Sequence, residues 1–163
     1  MTNDPPIPSP DAAHSALPPA CYQPELAWRI ALIARSFERL LGRPLIHTGT
    51  DPVAALWSAP LAVVAHATQD DPVFFFGNAA ALAAFECDFS RFTAMPSRLS
   101  AQAPDRAERQ RLLERVARDN FIEDYAGTRI SASGRTFVIS GATVWNLVDA
   151  EGRHHGQAAA FTP

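Results

Sequence analysis

The chain is predicted to be an α+β protein, on three observations. Apolar residues recur at helical spacing from Leu26 to Leu41. Residues 121–162 alternate with period two and are cut by Ser133-Gly134 and Glu151-Gly152, the pattern of a three-stranded meander. Between these regions, two short β-rich runs are joined to the meander by a long helical stretch. Helices gathered into one connection among antiparallel strands make an α+β order.

The elements follow in turn. Residues 1–24 hold seven of the fourteen prolines. Proline removes amide donors and favours extended, solvated chain, so this segment is expected to be a disordered tail, with a Pro-rich docking ligand as the alternative. Residues 25–42 place Leu26, Ile30, Ile33 and Phe37 on one helical face, and Gly42 and Pro44 stop the helix. That stripe packs on its own domain or forms a dimer interface. Asp51 caps a short helix over 51–58, with Pro52 at its first position. Residues 61–68 and 73–76 read as strands of a hairpin around the polar turn 69–72. Asn78 caps a helix over 79–86. Residues 89–101 lack a clean period and read as short helical turns and loop. In the helix 105–120, Asp105 and Glu108 make a capping-box pattern, and Leu112, Leu113 and Val116 give a narrow apolar face. In the strand 135–149, alternation predicts one shared face for Phe137, Ile139, Thr143, Trp145 and Leu147.

Composition excludes several classes. Hydrophobic residues make up 47% and charged residues 19% of the 163, which fits a globular domain over 25–163 and excludes a wholly disordered chain. The net charge is −3, and all fourteen basic residues are arginine. No broad positive field exists for nucleic acid, and lysine chemistry is impossible. Arg106, Arg109, Arg111, Arg115 and Arg118 interleave with acids on one helix, which reads as a solvated surface. Cys21 and Cys87 are too few for a four-sulfur zinc site; both are expected to be reduced, as in a cytoplasmic protein. No signal peptide or membrane span is expected.

The element order resembles a PAS domain. Asn78 opening a helix after an aromatic strand, Gly134-Arg135-x-Phe137, and Asp149-x-x-Gly152 before the last strand are all similar to the PAS pattern. A closer resemblance is to the MEKHLA family, carried by residues 71–86, 95–101, 108–116 and the stretches between 124 and 161. The resemblance implies a PAS-like five-stranded antiparallel sheet with short helices on one face, in a stand-alone protein of bacterial type. The six-residue motif that names the family is absent, as is any homeodomain, so the DNA-bound context of the plant members does not carry over. The implied role is sensing or interaction.

PAS domains bind ligands between the sheet and the short helices. In the light-oxygen-voltage subgroup, an Asn-Cys-Arg-Phe-Leu-Gln motif holds flavin, and its cysteine forms the photoadduct. Counting from Asn78, the equivalent place is Pro96-Ser97-Arg98-Leu99-Ser100. Ser97 stands at the cysteine position, and a hydroxyl should not form that adduct. Arg98 clamps an anionic ligand or anchors its segment through a salt bridge. Gln157, among small alanines, is a ligand contact or a satisfied sheet residue. His66 is a haem ligand or a hydrogen-bonded structural residue. The ligand set expected here is His66, Phe76, Asn78, Ser97, Arg98, Tyr125, Trp145 and Gln157; most of the aromatics read equally as core. No catalytic residue is assigned: Ser97, His66 and Asp70 lack a supporting motif. Neither flavin nor haem is required.

These readings converge on a sensory domain that binds a small molecule in a cavity bordered by residues of 61–68, 79–101, 137–147 and 156–161. Its signal is expected to pass to a separate partner protein. The alternative is a ligand-free homodimerisation module using the stripe Leu26, Ile30, Ile33 and Phe37. A small enzyme is the third reading.

Overall fold

A computed structural model describes residues 16–101 and 106–163. Five strands form one antiparallel sheet: β1 (Ala62–His66), β2 (Phe74–Gly77), β3 (Phe121–Ile130), β4 (Thr136–Val148) and β5 (His154–Phe161). Their spatial order is β2-β1-β5-β4-β3, so the N-terminal hairpin joins the C-terminal meander through the β1–β5 pair. The helices are α1 (Pro24–Leu41), α2 (Pro52–Trp57), α3 (Ala79–Phe85), α4 (Phe89–Phe92) and α5 (Arg106–Asp119).

The sheet is covered on both faces. Helix α1 packs across β4, and its stripe lies inside the chain: Ile30, Ile33 and Phe37 are buried and Leu26 is half-buried. The face anticipated for a second copy therefore rests on the domain's own sheet. Ser36 fastens it at both backbone groups of Val148, donating to the carbonyl and accepting from the amide. Arg39 donates to the carbonyls of Val148 and Asp149. Asp149, almost fully buried, accepts from the amides of Glu151 and Arg153 and pairs with the Arg153 and His155 side chains. These bonds hold its carboxyl well below the usual aspartate range. The Asp149-x-x-Gly152 pattern is thus the clamp that closes the β4–β5 turn.

Asn78 is wholly buried and joins three elements. It caps α3 at the Ala81 amide, accepts from the Val63 amide, and donates to the carbonyls of Leu56 and Leu61. A buried amide with both ends satisfied locks α2, β1 and α3 together. At the other end, Arg135 reaches the Ala84 carbonyl and Glu86, tying the β3–β4 turn to α3.

Two expectations change here. The prolines predict a tail over residues 1–24; residues 1–15 lie outside the described residues, but Pro19–Tyr22 form a 3-10 turn with Cys21 fully buried. Burial pushes the Cys21 thiol up to about 11. The second concerns β4. Gly141 has φ 61°, and the register slips between Tyr125 and Gly127: Gly127 faces Ile139, but Tyr125 faces Ala142. An extra residue in β4 reverses its alternation. Phe137 and Ile139 face the α3 and α5 side, where Phe137 meets Phe85. Trp145 faces α1, with its indole N–H on the Ile33 carbonyl and its ring against Phe37. The single face anticipated for residues 137–147 does not exist. Asp105, half of the expected capping box, is outside the described residues.

Candidate ligand-binding site

A cavity of about 60 Å³ lies between the sheet and helices α3 and α5. Its floor is a set of rows across three strands. Val64, Ala159 and Val144 form one row. Beside it runs a polar row, in which His66 on β1 faces Gln157 on β5, which faces Asn146 on β4; of these, His66 and Gln157 line the cavity. Phe85 and Phe161 close one end, and Leu112 and Leu113 of α5 form the roof. Tyr125, Arg129 and Ile139 complete the β3–β4 wall.

The polar row is unevenly satisfied. Asn146 donates to the Val116 carbonyl at 2.9 Å and lies 3.3 Å from Asn120 Oδ1. Gln157 makes one long contact, 3.4 Å from its Nε2 to the Leu113 carbonyl, and its buried Oε1 has no partner. His66 Nδ1 is 2.9 Å from the Ala67 carbonyl. A carbonyl only accepts, so Nδ1 carries the hydrogen, and Nε2 of the neutral ring is an acceptor. That Nε2 is buried and unpartnered. Burial, with help from the Arg109 charge, lowers the His66 pKa to about 4, so the ring is neutral at pH 7.

Two arginines enter the cavity wall. Arg109 of α5 is buried and donates to Ser97 Oγ at 2.5 Å. Burial, then the like charge of Arg129, lowers its pKa to about 10, and it stays cationic at pH 7. Arg129 of β3 is buried and donates to Tyr125 Oη at 2.8 Å and to the Thr128 carbonyl. The reading of α5 as a wholly solvated arginine face is corrected at Arg109. It stands three residues before Leu112, four before Leu113 and seven before Val116, so it extends the buried stripe of that helix. That spacing was the available signal. For Arg129 the signal was its even separation from Tyr125, which puts both on one face of β3.

Of the eight anticipated ligand residues, the structure brings His66, Tyr125 and Gln157 to the cavity. Ser97 stands behind it, as the acceptor for Arg109. Arg98 is exposed and paired with Asp71 at 3.1 Å, which is the salt-bridge alternative. Phe76 is core against Trp57 and Phe89, Asn78 is the three-way clamp described above, and Trp145 lies on the opposite face. The hydroxyl of Ser97 and the His66 ring make no bond to each other.

The cavity does not fit either cofactor weighed from the sequence. Pockets for drug-sized ligands run from about 300 to 1,000 Å³, and this one is about 60 Å³. Ser97, the position expected from the sequence to stand for the adduct-forming cysteine, is a hydroxyl engaged by Arg109. Haem would need open space at His66 Nε2, where α5 instead closes the roof. Among the described residues, no group of three His, Cys, Asp or Glu side chains is placed to hold a metal, and no helix is long and apolar enough to cross a membrane.

This strand order, with the short helices and a cavity on one face, defines a PAS-like domain. Solved structures agree on the fold. The PAS domain of a protein from Colwellia psychrerythraea superposes with a TM-score of 0.59 at 10% identity, over 66% of this chain and 89% of that one. The fungal blue-light photoreceptor Vivid, as its light-state dimer, gives 0.57 at 14%, over 90% and 97%. The PAS domain of a LuxR-family transcriptional regulator from Burkholderia thailandensis, in complex with ethanol, gives 0.52 at 19%, over 66% and 92%. The MEKHLA domain model matches residues 27–163, and the chain belongs to that family. No curated protein sequence matches it.

Proposed function

We propose that this chain is a sensory domain that binds a small molecule in the cavity between the sheet and α5, and passes its occupancy to a partner protein. The observation that carries the reading is the pair of buried acceptors without partners, Gln157 Oε1 and His66 Nε2, on adjacent strands in one cavity. Buried polar atoms are otherwise almost always satisfied, and each orphan is unfavourable until something donates to it. A route outward is at hand. Val144 lines the cavity, and the next residue, Trp145, bonds α1 through the Ile33 carbonyl. A shift of β4 on filling therefore moves α1. The two buried free thiols agree with a reducing compartment such as the cytoplasm.

Native mass spectrometry of the freshly purified chain, with denaturation to release any guest, tests the reading. A small-molecule adduct that Ala159→Leu abolishes, with the circular dichroism spectrum unchanged, supports it. An adduct that survives this filled cavity, or the lack of any adduct or small-molecule response in the wild type, overturns it.

A further inference from the structure

The cavity holds two guanidinium groups and no carboxylate. Arg109 and Arg129 are both buried, both line it, and neither forms an ion pair among the described residues. Among the described residues their hydrogen bonds go to neutral oxygens: Ser97 Oγ, Tyr125 Oη and the Thr128 carbonyl. Asp71, whose charge reaches Arg109, is itself paired with exposed Arg98. Each guanidinium has five N–H donors, so donor capacity is left over on both. Two like charges out of water without an ion-pair partner among the described residues are unfavourable, and Arg forks match carboxylate oxygens geometrically.

The same space offers acceptors as well. Gln157, only 7% exposed, presents an unpartnered Oε1, and His66 presents an unpartnered Nε2. A guest that satisfies both sets needs an anionic head and a hydrogen-bond donor a short distance away. The walls supplied by Leu112, Val144 and Ile139 suit a short hydrocarbon segment between them. One water needs about 10–15 Å³ of such space, so a cavity of about 60 Å³ admits only a few heavy atoms.

We infer that the cavity takes a short-chain hydroxycarboxylate, its carboxylate held by Arg109 and Arg129 and its hydroxyl donating to Gln157 Oε1 or His66 Nε2. This rests on the proposed reading of the cavity as a ligand site, and adds the class of ligand.

Three probes separate the two levels: glycolate, with charge and donor; acetate, with charge alone; and ethylene glycol, with donors alone. Each is titrated into the purified full chain in carboxylate-free buffer, followed by NMR shifts of the Gln157 and Tyr125 amides and by calorimetry. Glycolate is expected to bind at least tenfold tighter than acetate, and ethylene glycol weaker than either. Arg109→Gln and Arg129→Gln should each weaken glycolate at least tenfold while Arg43→Gln does not, and a retained melting transition shows that each variant is folded. Because Arg109→Gln removes the support of Ser97, Arg129→Gln decides if that protein fails to fold. Ethylene glycol binding while both carboxylates fail would overturn this inference and leave the ligand-site reading standing. Glycolate binding that neither arginine variant changes also overturns it. No response to any probe overturns the ligand class, while the adduct experiment above decides the ligand site separately.

Discussion

His66 and Gln157 face each other across the β1–β5 pair, and each leaves one buried polar atom without a partner in the same cavity. Two orphan acceptors side by side point to one missing donor or donor set. The β1–β5 pairing is also the seam that joins the N-terminal hairpin to the C-terminal meander. The site thus sits where segments some ninety residues apart in sequence are stitched together.

The orphan acceptors make stability and binding oppose each other. Replacing a buried unsatisfied amide by an apolar group of similar shape relieves its desolvation cost, about 1 kcal/mol here. Gln157→Leu should therefore raise the melting temperature by roughly 2–4 °C for a chain of this size, while weakening any cavity ligand. Differential scanning calorimetry checks it; a lowered melting temperature would show that Oε1 is satisfied by internal water.

His66 makes stability depend on pH. Its folded pKa is about 4, below the ordinary histidine value of 6.5. The unfolded chain binds the proton more readily, so the contribution is full above about 6.5 and is lost as pH falls from there toward 4. At 1.36 kcal/mol per pKa unit, the loss amounts to roughly 3 kcal/mol. Urea unfolding at pH 7 and pH 4.5 measures it, and His66→Gln should flatten that part of the profile.

Asp149 acts in a lower window. Its carboxyl is held below the ordinary aspartate value by bonds from His155, Arg153 and the turn amides. Its contribution is present above the unfolded aspartate pKa and fades as pH falls through that value toward the folded one. Asp149→Asn should lower the melting temperature at pH 7 and reduce the additional acid loss below pH 4. Amide exchange would show the first opening at residues 148–155 and at α1, which Arg39 ties to the same carbonyls.

Gly156 is not replaceable. Its φ is 137°, and an added Cβ would lie 2.0 Å from the His66 carbonyl oxygen on the neighbouring strand. Gly156→Ala must either strain its backbone or push β5 off β1, at roughly 3 kcal/mol. Chemical denaturation against wild type reads the loss. Gly134→Ala also has positive φ but meets nothing within 4 Å, and should cost less.

The element order was legible because helical and strand periods are local. Leu26, Ile30, Ile33 and Phe37 announced α1, and Asp51 and Asn78 announced the helices they cap. Arg98 belongs to the ligand set expected from the sequence, but the structure pairs it with Asp71 at the surface, the alternative reading of that residue. Trp145 was misplaced for a definite reason. Period-two alternation carries only if the strand is regular, and the extra residue at the Gly141 bend reverses every side chain after it. Arg109 was misplaced because its charge suggested solvent, although its spacing with Leu112 and Val116 pointed inward.

The sequence by itself determined the α+β order, the strand and helix positions, and the family resemblance, since these depend on neighbours a few residues apart. Only the tertiary structure decided which side chains share the cavity. Pairing β1 with β5 brings His66 to Gln157, and the α5 roof carries Arg109 over them. Burial then makes the difference. The same groups in water would be satisfied by solvent, whereas shut between sheet and helix they are two cations without an ion-pair partner among the described residues and two acceptors without a donor.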